Sequence, residues 1–363
     1  MKRPDIIFRK IASREGYYAW LGWMLMPVGW LYGSIAALRR IWYESGRKQF
    51  RLPVPVISVG NIEVGGTGKT SVTIWLARRI AGMGYSVAVV ARNFGKRESA
   101  CRVRLDNADV REEFTDEVLL LAESLLGKAR VYAGRSKTEA SIRAFREDNP
   151  DIIIVDDGFQ HLKLHRDIEL IVLDFSNPFG QGGILPSGTL REFPSFISRA
   201  DHIWINRIAS GMSAEWIKRR VSDYNWKASV QFSRIQPTGV RLVSGRRLPD
   251  IPEAPVLAFC GIGKPESFRN SLKEAGFTLR ELVAFPDHYV YSSDDVEQLQ
   301  EIMQKKRAAA LITTEKDAVK LTGIPDTEDI LVQTMNLEVE GDIPELLDDI
   351  QNTIARFRVL QNG

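Results

Sequence analysis

The chain has few of the residues that make cross-links or metal clusters: in 363 residues there are two cysteines, Cys101 and Cys260, and four histidines, His161, His165, His202 and His288. Two distant thiols without metal-ligand spacing exclude a disulfide framework, make a zinc site unexpected, and fit a reducing compartment. Internal repeats and low-complexity tracts are missing as well, so neither a solenoid nor a disordered chain is indicated. The net charge is only +3, which gives no case for a nucleic-acid partner, and no segment calls for an obligate protein partner. What remains is 44% hydrophobic and 26% charged residues, the make-up of a soluble globular protein. The length suits two domains, each able to bury its own core.

The small charge excess is concentrated at one end. Residues 1–52 carry ten Lys or Arg against three acids, which leaves the rest of the chain net acidic. Within this basic stretch, Tyr17 to Leu38 is a run of 22 residues without a charge, long enough to span a bilayer. Gly22, Pro27, Gly29 and Gly33 interrupt it, its Trp and Tyr residues are spread throughout, and both flanks are basic. A membrane-associated segment lying in the interface, with its cations at the headgroups, explains these features better than a spanning helix, a cleaved signal or a core helix.

The apolar run Val54 to Val59 leads into Gly60-Asn-Ile-Glu-Val-Gly-Gly-Thr-Gly-Lys-Thr70, followed by a helical pattern from Val72 to Ile80. This strand, glycine turn and helix start is the context of a phosphate-binding loop. Its backbone N–H groups line a concave surface, its lysine reaches the β/γ-phosphates and its hydroxyl meets Mg²⁺. Glu63, Val64, Gly65, Gly66, Thr67, Gly68, Lys69 and Thr70 are therefore the expected ATP-binding residues, although Glu63 stands where the common pattern has glycine.

Strand-like and helix-like segments then alternate to about residue 226, which calls for a mostly parallel sheet with helices on both faces. The strand at 85–91 ends in Arg92, with Lys96 close behind, at the sheet edge where ligands bind. A helix at 114–126 takes Thr115 as N-cap and opens with Asp116 and Glu117, acids that the helix dipole alone would account for. The strand at 151–155 runs into Asp156 and Asp157, the Walker B pattern that holds Mg²⁺. His161 follows in a polar turn, and a glycine-rich loop at 179–192 ends in Arg191 and Glu192, a shape suited to closing over a ligand.

The predicted architecture is thus α/β with two lobes: a membrane-associated segment at 1–52, a P-loop lobe at 53–226, a connector at 227–254 that forms a short β-ribbon, and a smaller α/β lobe at 255–363. Two polar clusters stand at strand ends of the last: Phe-Pro-Asp-His288-Tyr, and Thr313-Thr-Glu-Lys-Asp-Ala-Val-Lys320.

Taken together, Gly-Gly-Thr-Gly-Lys-Thr, Asp-Asp-Gly-Phe-Gln-His161, Leu-Pro-Ser-Gly-Thr-Leu-Arg-Glu192, Pro-Asp-His-Tyr and Thr-Glu-Lys-Asp-Ala-Val-Lys-Leu resemble the tetraacyldisaccharide 4'-kinase family of the lipid A pathway in Gram-negative bacteria. The resemblance covers nearly the whole chain. It implies transfer of the γ-phosphate of ATP, with Mg²⁺, to the 4'-hydroxyl of an acylated disaccharide 1-phosphate glycolipid at the cytoplasmic face of the inner membrane. The family's Gly-Asp-Glu-Pro motif matches Thr115-Asp-Glu-Val118, which implies Asp116 as the base and His288 as its partner, arriving as the second lobe closes. Lys69 completes the catalytic set. Thr70 and Asp157 hold the metal, with Asp156 or Glu192 as second acid, and Arg92, His161 and Arg191 are candidates to contact the substrate. Ala91-Arg-Asn-Phe-Gly95 departs from the family's Ser-Arg-Gly-Tyr-Gly. A competing class is a membrane-bound ATPase switch, but such proteins carry a lysine where this chain has Val64.

Overall fold

Short β-branched runs, buried on both faces, can be strands only where helices cover both sides of the sheet. The computed structural model, which describes residues 4–45, 49–94, 99–105, 113–208 and 214–362, has that arrangement. Its strands are β1 (Val56–Gly60), β2 (Val87–Arg92), β3 (Cys101–Arg102), β4 (Arg130–Gly134), β5 (Ile152–Asp156), β6 (Ile168–Asp174), β7 (His202–Asn206), β8 (Ser229–Leu242), β9 (Arg247–Leu248), β10 (Val256–Cys260), β11 (Leu279–Ala284), β12 (Ala310–Thr314) and β13 (Leu331–Val339). The helices are α1 (Pro4–Ala12), α2 (Tyr18–Met24), α3 (Met26–Glu44), α4 (Lys69–Gly82), α5 (Asp116–Ser124), α6 (Lys137–Asp148), α7 (Glu215–Ser222), α8 (Pro265–Glu274), α9 (Ser293–Lys305), α10 (Glu315–Leu321) and α11 (Pro344–Asn362).

All thirteen strands belong to one sheet, in the order β11-β10-β12-β13-β8-β7-β6-β1-β5-β2-β4-β3, with β9 on β8. The stretch expected to be a connector is the strand that joins the two halves. Ser229–Ser233 of β8 pairs in parallel with β7, and Ser233–Leu242 pairs antiparallel with β13. Pro237 is accommodated in β8 where the register against β13 shifts, between Thr334 and Met335, since proline cannot donate to a regular ladder. The last helix, α11, also ties the halves together: Leu346, Ile350 and Ile354, at helical spacing, are buried in the same core as β1, β2, β5, α4 and α5.

At the amino end, α2 and α3 meet at a 44° bend, and only together do they pass as a span; among the described residues no single helix is long and apolar enough to cross a membrane. Two of the glycines that interrupt the uncharged run, Gly29 and Gly33, are where α3 seats on the body. A Cβ on Gly29 would stand 2.8 Å from the Ile184 carbonyl oxygen, and one on Gly33 2.6 Å from the Phe193 ring. The outward faces keep Trp20, Trp23, Trp30 and Trp42 exposed.

Candidate active site

The phosphate loop lies between β1 and α4. Its shape depends on glycine at Gly65 (φ 130°) and Gly68 (φ 86°), angles that L side chains rarely adopt. A Cβ on Gly68 would also collide with the Asn206 amide nitrogen, at 2.0 Å. That amide donates to the Thr67 carbonyl (3.1 Å), and the Asn206 Oδ1 accepts from the Ser233 hydroxyl (3.0 Å), itself bonded by the Trp204 indole. The loop is therefore braced from β7 and β8. On its other side it is zipped to the glycine-rich loop. Thr189 donates its hydroxyl to Glu63 (2.8 Å), Val64 N donates to the Thr189 carbonyl, and Arg191 N donates to the Ile62 carbonyl. Burial raises the Glu63 pKa against the Thr189 hydrogen bond.

The neighbouring strand β5 delivers Asp156 and Asp157. Asp156 is buried and accepts from the Thr73 hydroxyl at 2.7 Å; desolvation pushes its pKa up to about 6. Asp157 faces outward in a left-handed conformation (φ 49°). Its carboxylate meets Lys69 Nζ at 3.5 Å and Arg191 at 3.1 Å. Burial would raise its pKa, but these cations outweigh burial and keep it lowered. The buried Lys137, at the start of α6, donates to the Asp157 carbonyl. These features fit a divalent cation: a desolvated carboxylate at Asp156, an ionised one at Asp157, and the loop hydroxyl of Thr70 at the start of α4. Among the described residues no group of three His, Cys, Asp or Glu side chains could hold an ion alone; Mg²⁺ commonly keeps waters and takes oxygens from substrate phosphates.

Across a cavity of about 730 Å³ whose lining includes Arg92, Asp116, Asp156, Asp157, Arg191 and His288, Asp116 opens α5. Its carboxylate is 7% exposed and is met by His288 Nδ1 at 3.0 Å, Lys316 Nζ at 3.5 Å and Lys320 Nζ at 3.5 Å. Burial would raise its pKa; the His288 hydrogen bond and the two lysines overturn this and hold it far below the usual carboxylate range. The same hydrogen bond raises the pKa of His288. Lys320 is fixed in turn by the fully buried Asp317 at 3.0 Å, which also accepts from Gly261 N and the Thr314 hydroxyl. The pair expected to form on lobe closure is already made in this structure.

The remaining candidates take other positions. Glu192 is buried against Arg199 (3.0 Å), which also donates to the Phe159 carbonyl. His161 bonds Thr138 at 2.8 Å, and burial with nearby Lys137 and Arg166 lowers its pKa to about 4, so it is neutral at physiological pH. Arg92 lies over the Phe94 ring at 4.4 Å. Lys96 falls outside the described residues. Asn93, one of the departures from the family pattern, is buried and bonds both the Glu113 carbonyl and Thr115 N, holding the start of α5. Thr115 makes no side-chain cap bond of its own. Sequence reasoning missed Thr73, Lys137, Asn206 and Ser233. Lys316 and Lys320 stand in the polar cluster Thr313 to Lys320, where nothing local gives them a role.

A glycine-bent loop between a parallel strand and a helix, with its lysine on the aspartate that follows β5, defines a P-loop nucleotide-binding protein. A family model described as LpxK, Tetraacyldisaccharide-1-P 4'-kinase, matches residues 21–355. Similar proteins include the Tetraacyldisaccharide 4'-kinases of Pelobacter propionicus, 35% identical over 92% of each chain, and of Halothermothrix orenii, 34% identical over 86% of this chain and 85% of the relative. The crystal structure of LpxK from Aquifex aeolicus in complex with ATP superposes with a TM-score of 0.73, at 29% identity over 93% of this chain and 99% of that one. The chain belongs to the tetraacyldisaccharide 4'-kinase family.

Proposed function

We propose that this chain transfers the γ-phosphate of ATP to the 4'-hydroxyl of a tetraacylated glucosamine disaccharide 1-phosphate, with the residues above in the following roles. The observation that carries the residue assignment is that the Asp116–His288 pair lines the same cavity as Asp157, the carboxylate on which Lys69 and Arg191 converge. Phosphoryl transfer asks for positioning and charge stabilisation more than for covalent chemistry. Lys69 and the loop amides bind the β/γ-phosphates, and Arg191 and Arg92 face the anionic reactants from the cavity wall. Thr70 and Asp157, with Asp156, would hold Mg²⁺, which would supply neutralisation of the phosphate charge.

The acceptor O–H bond breaks as the new O–P bond forms, and the bond from phosphorus to the bridging oxygen breaks with its electron pair leaving on ADP. The proton passes to the Asp116–His288 pair. Asp116 alone is a weak proton sink because His288 and two lysines stabilise its charge, and the raised His288 supplies the missing proton affinity. Glu192 acts through Arg199, steadying the loop that carries Arg191.

The amino-terminal helices are the membrane contact, lying in the interface of the inner membrane on its cytoplasmic side. Their exposed Trp and Tyr residues and basic flanks support this, and an enzyme acting on an acylated substrate needs such a surface. The test is to supply ATP labelled in the γ-phosphate with the acylated disaccharide. Label is expected in an organic-phase lipid; label found only in inorganic phosphate would overturn the reading.

A further inference from the structure

Of the eight tryptophans, Trp75 and Trp204 pack edge to face inside the molecule at 5.2 Å, and four are exposed on α2 and α3. The other two, Trp216 on α7 and Trp226 in the turn after it, are 42% and 78% exposed, and phosphoryl transfer has no use for them. Trp216 and Arg220 stand one helical turn apart on α7, and Tyr224, in the turn after the helix, meets the same Phe179 ring as Arg220, so the three form one surface. Trp216 rests on Phe175 at 5.4 Å, Tyr224 on Phe179 at 5.2 Å, and the Arg220 guanidinium lies over the Phe179 ring. Arg219 and Lys227 are exposed beside them, the latter over the Trp226 ring. Two carboxylates, Glu215 and Asp223, do not cancel the local cations, which include Lys218. Exposed indoles bordered by guanidinium and ammonium groups match the boundary between acyl chains and anionic headgroups.

Phe179 also begins the glycine-rich loop that seats the amino-terminal helices. A Cβ on Gly182 would stand 2.4 Å from the Ala12 carbonyl oxygen, and Phe193, at the far end, packs on Trp30 at 5.8 Å. The α7 surface and the amino-terminal helices therefore bracket a single loop, the one that delivers Arg191 to the cavity.

We propose that α7 and its following turn form a second contact with anionic phospholipid headgroups, continuous through this loop with the amino-terminal contact. This rests on the membrane reading of those helices. The test uses the full chain with vesicles of phosphatidylglycerol and phosphatidylcholine whose acyl chains are brominated near the headgroup. Bromine is expected to quench a share of the tryptophan emission that disappears in the Trp216→Phe/Trp226→Phe variant, leaving the share from α2 and α3. If the quenched share is the same in that variant, this inference falls while the amino-terminal reading stands; if no emission is quenched in the wild type, both fall. Independently, Arg219→Glu/Arg220→Glu is expected to weaken binding to the anionic vesicles by about tenfold or more at low salt, and by less at high salt. Unchanged binding at low salt would also overturn the proposal.

Discussion

Asp116 is one carboxylate facing three cations, and the proton chemistry of the site follows from that imbalance. His288 binds a proton more readily in the folded protein than its ordinary value of 6.5 implies, because Asp116 accepts from its Nδ1. Its share of the pair's stability is therefore complete below 6.5 and is lost as pH rises through the raised folded value. The Asp116 share, from a lowered pKa, is present above 3.8 and lost as pH falls toward its folded value. If His288 takes the hydroxyl proton as proposed, its imidazole must be neutral, so kcat/KM is expected to fall on the acid side with a midpoint above 6.5. Asp116→Asn removes the largest cause of the shift. It should move that midpoint down while costing about 10²–10⁴ in rate, the range for an acid/base group. A wild-type midpoint at or below the ordinary histidine value would contradict the assignment. Lys320→Met takes the cation from the buried Asp317, so it should destabilise the fold by about 3 kcal/mol, as when one member of a buried pair is removed; Lys316→Met should raise the acid-side midpoint further, since Lys316 is the cation that opposes protonation of His288. Chemical denaturation and the pH profile read the two effects separately. Asp116 and His288 were reachable in sequence through the family resemblance, whose motif falls on residues 115–118; by position alone Asp116 is an acid that the helix dipole explains. Lys320 was not reachable, because its partner Asp116 is some two hundred positions away and only the fold brings them together.

At the scale of elements, the phosphate loop is legible because its chemistry is local: glycine for positive φ, lysine and threonine for phosphate and metal. Its support is not local. Asn206 closes β7 and looks in sequence like any polar strand end, yet its amide holds Thr67 and its carbonyl accepts from Ser233 of β8. Asn206→Ala leaves the Thr67 carbonyl without its amide donor and the Ser233 proton without its acceptor, although Trp204 still bonds the Ser233 oxygen; a buried group left unsatisfied costs about 1–3 kcal/mol. The variant should unfold at lower denaturant and show a raised KM for ATP, with a smaller effect on the KM for the acylated disaccharide. Equal changes in both constants would mean that Asn206 does not act through the loop. The connector forms its short ribbon, β8 with β9, but its place inside the main sheet is hidden in sequence for the same reason. Residues 227–254 hold proline and glycine at positions that read as punctuation, but β8 has partners on both edges, and the shifted register opposite Pro237 absorbs the residue that seemed to break it.

Over the whole molecule, two α/β halves in sequence became one hydrogen-bonded sheet with a shared helix. Alternating strands and helices revealed each half, because their periodicity is written locally. The joining of the halves is written in pairings between distant segments, β8 with β13 and α11 with the first core. Side-chain ties reinforce α11 on the first half: Asp349 meets His202 at 3.1 Å, and Arg358 meets Asp151 at 2.7 Å. If β8 and α11 couple the halves as this implies, neither can unfold while the other keeps its core intact, since that would leave an open edge at β8 and expose Leu346, Ile350 and Ile354. Denaturant unfolding, followed by tryptophan emission and by far-ultraviolet circular dichroism, should therefore give coincident transitions. Ile350→Ala, which empties a fully buried site, should move both probes together by about 2–5 kcal/mol. ATP with Mg²⁺ should shift both in the opposite direction, because a ligand bound only to the native state stabilises whatever unfolds with its site. Two separated transitions, only one of which responds to ATP, would show that the continuous sheet does not make the halves a single cooperative unit.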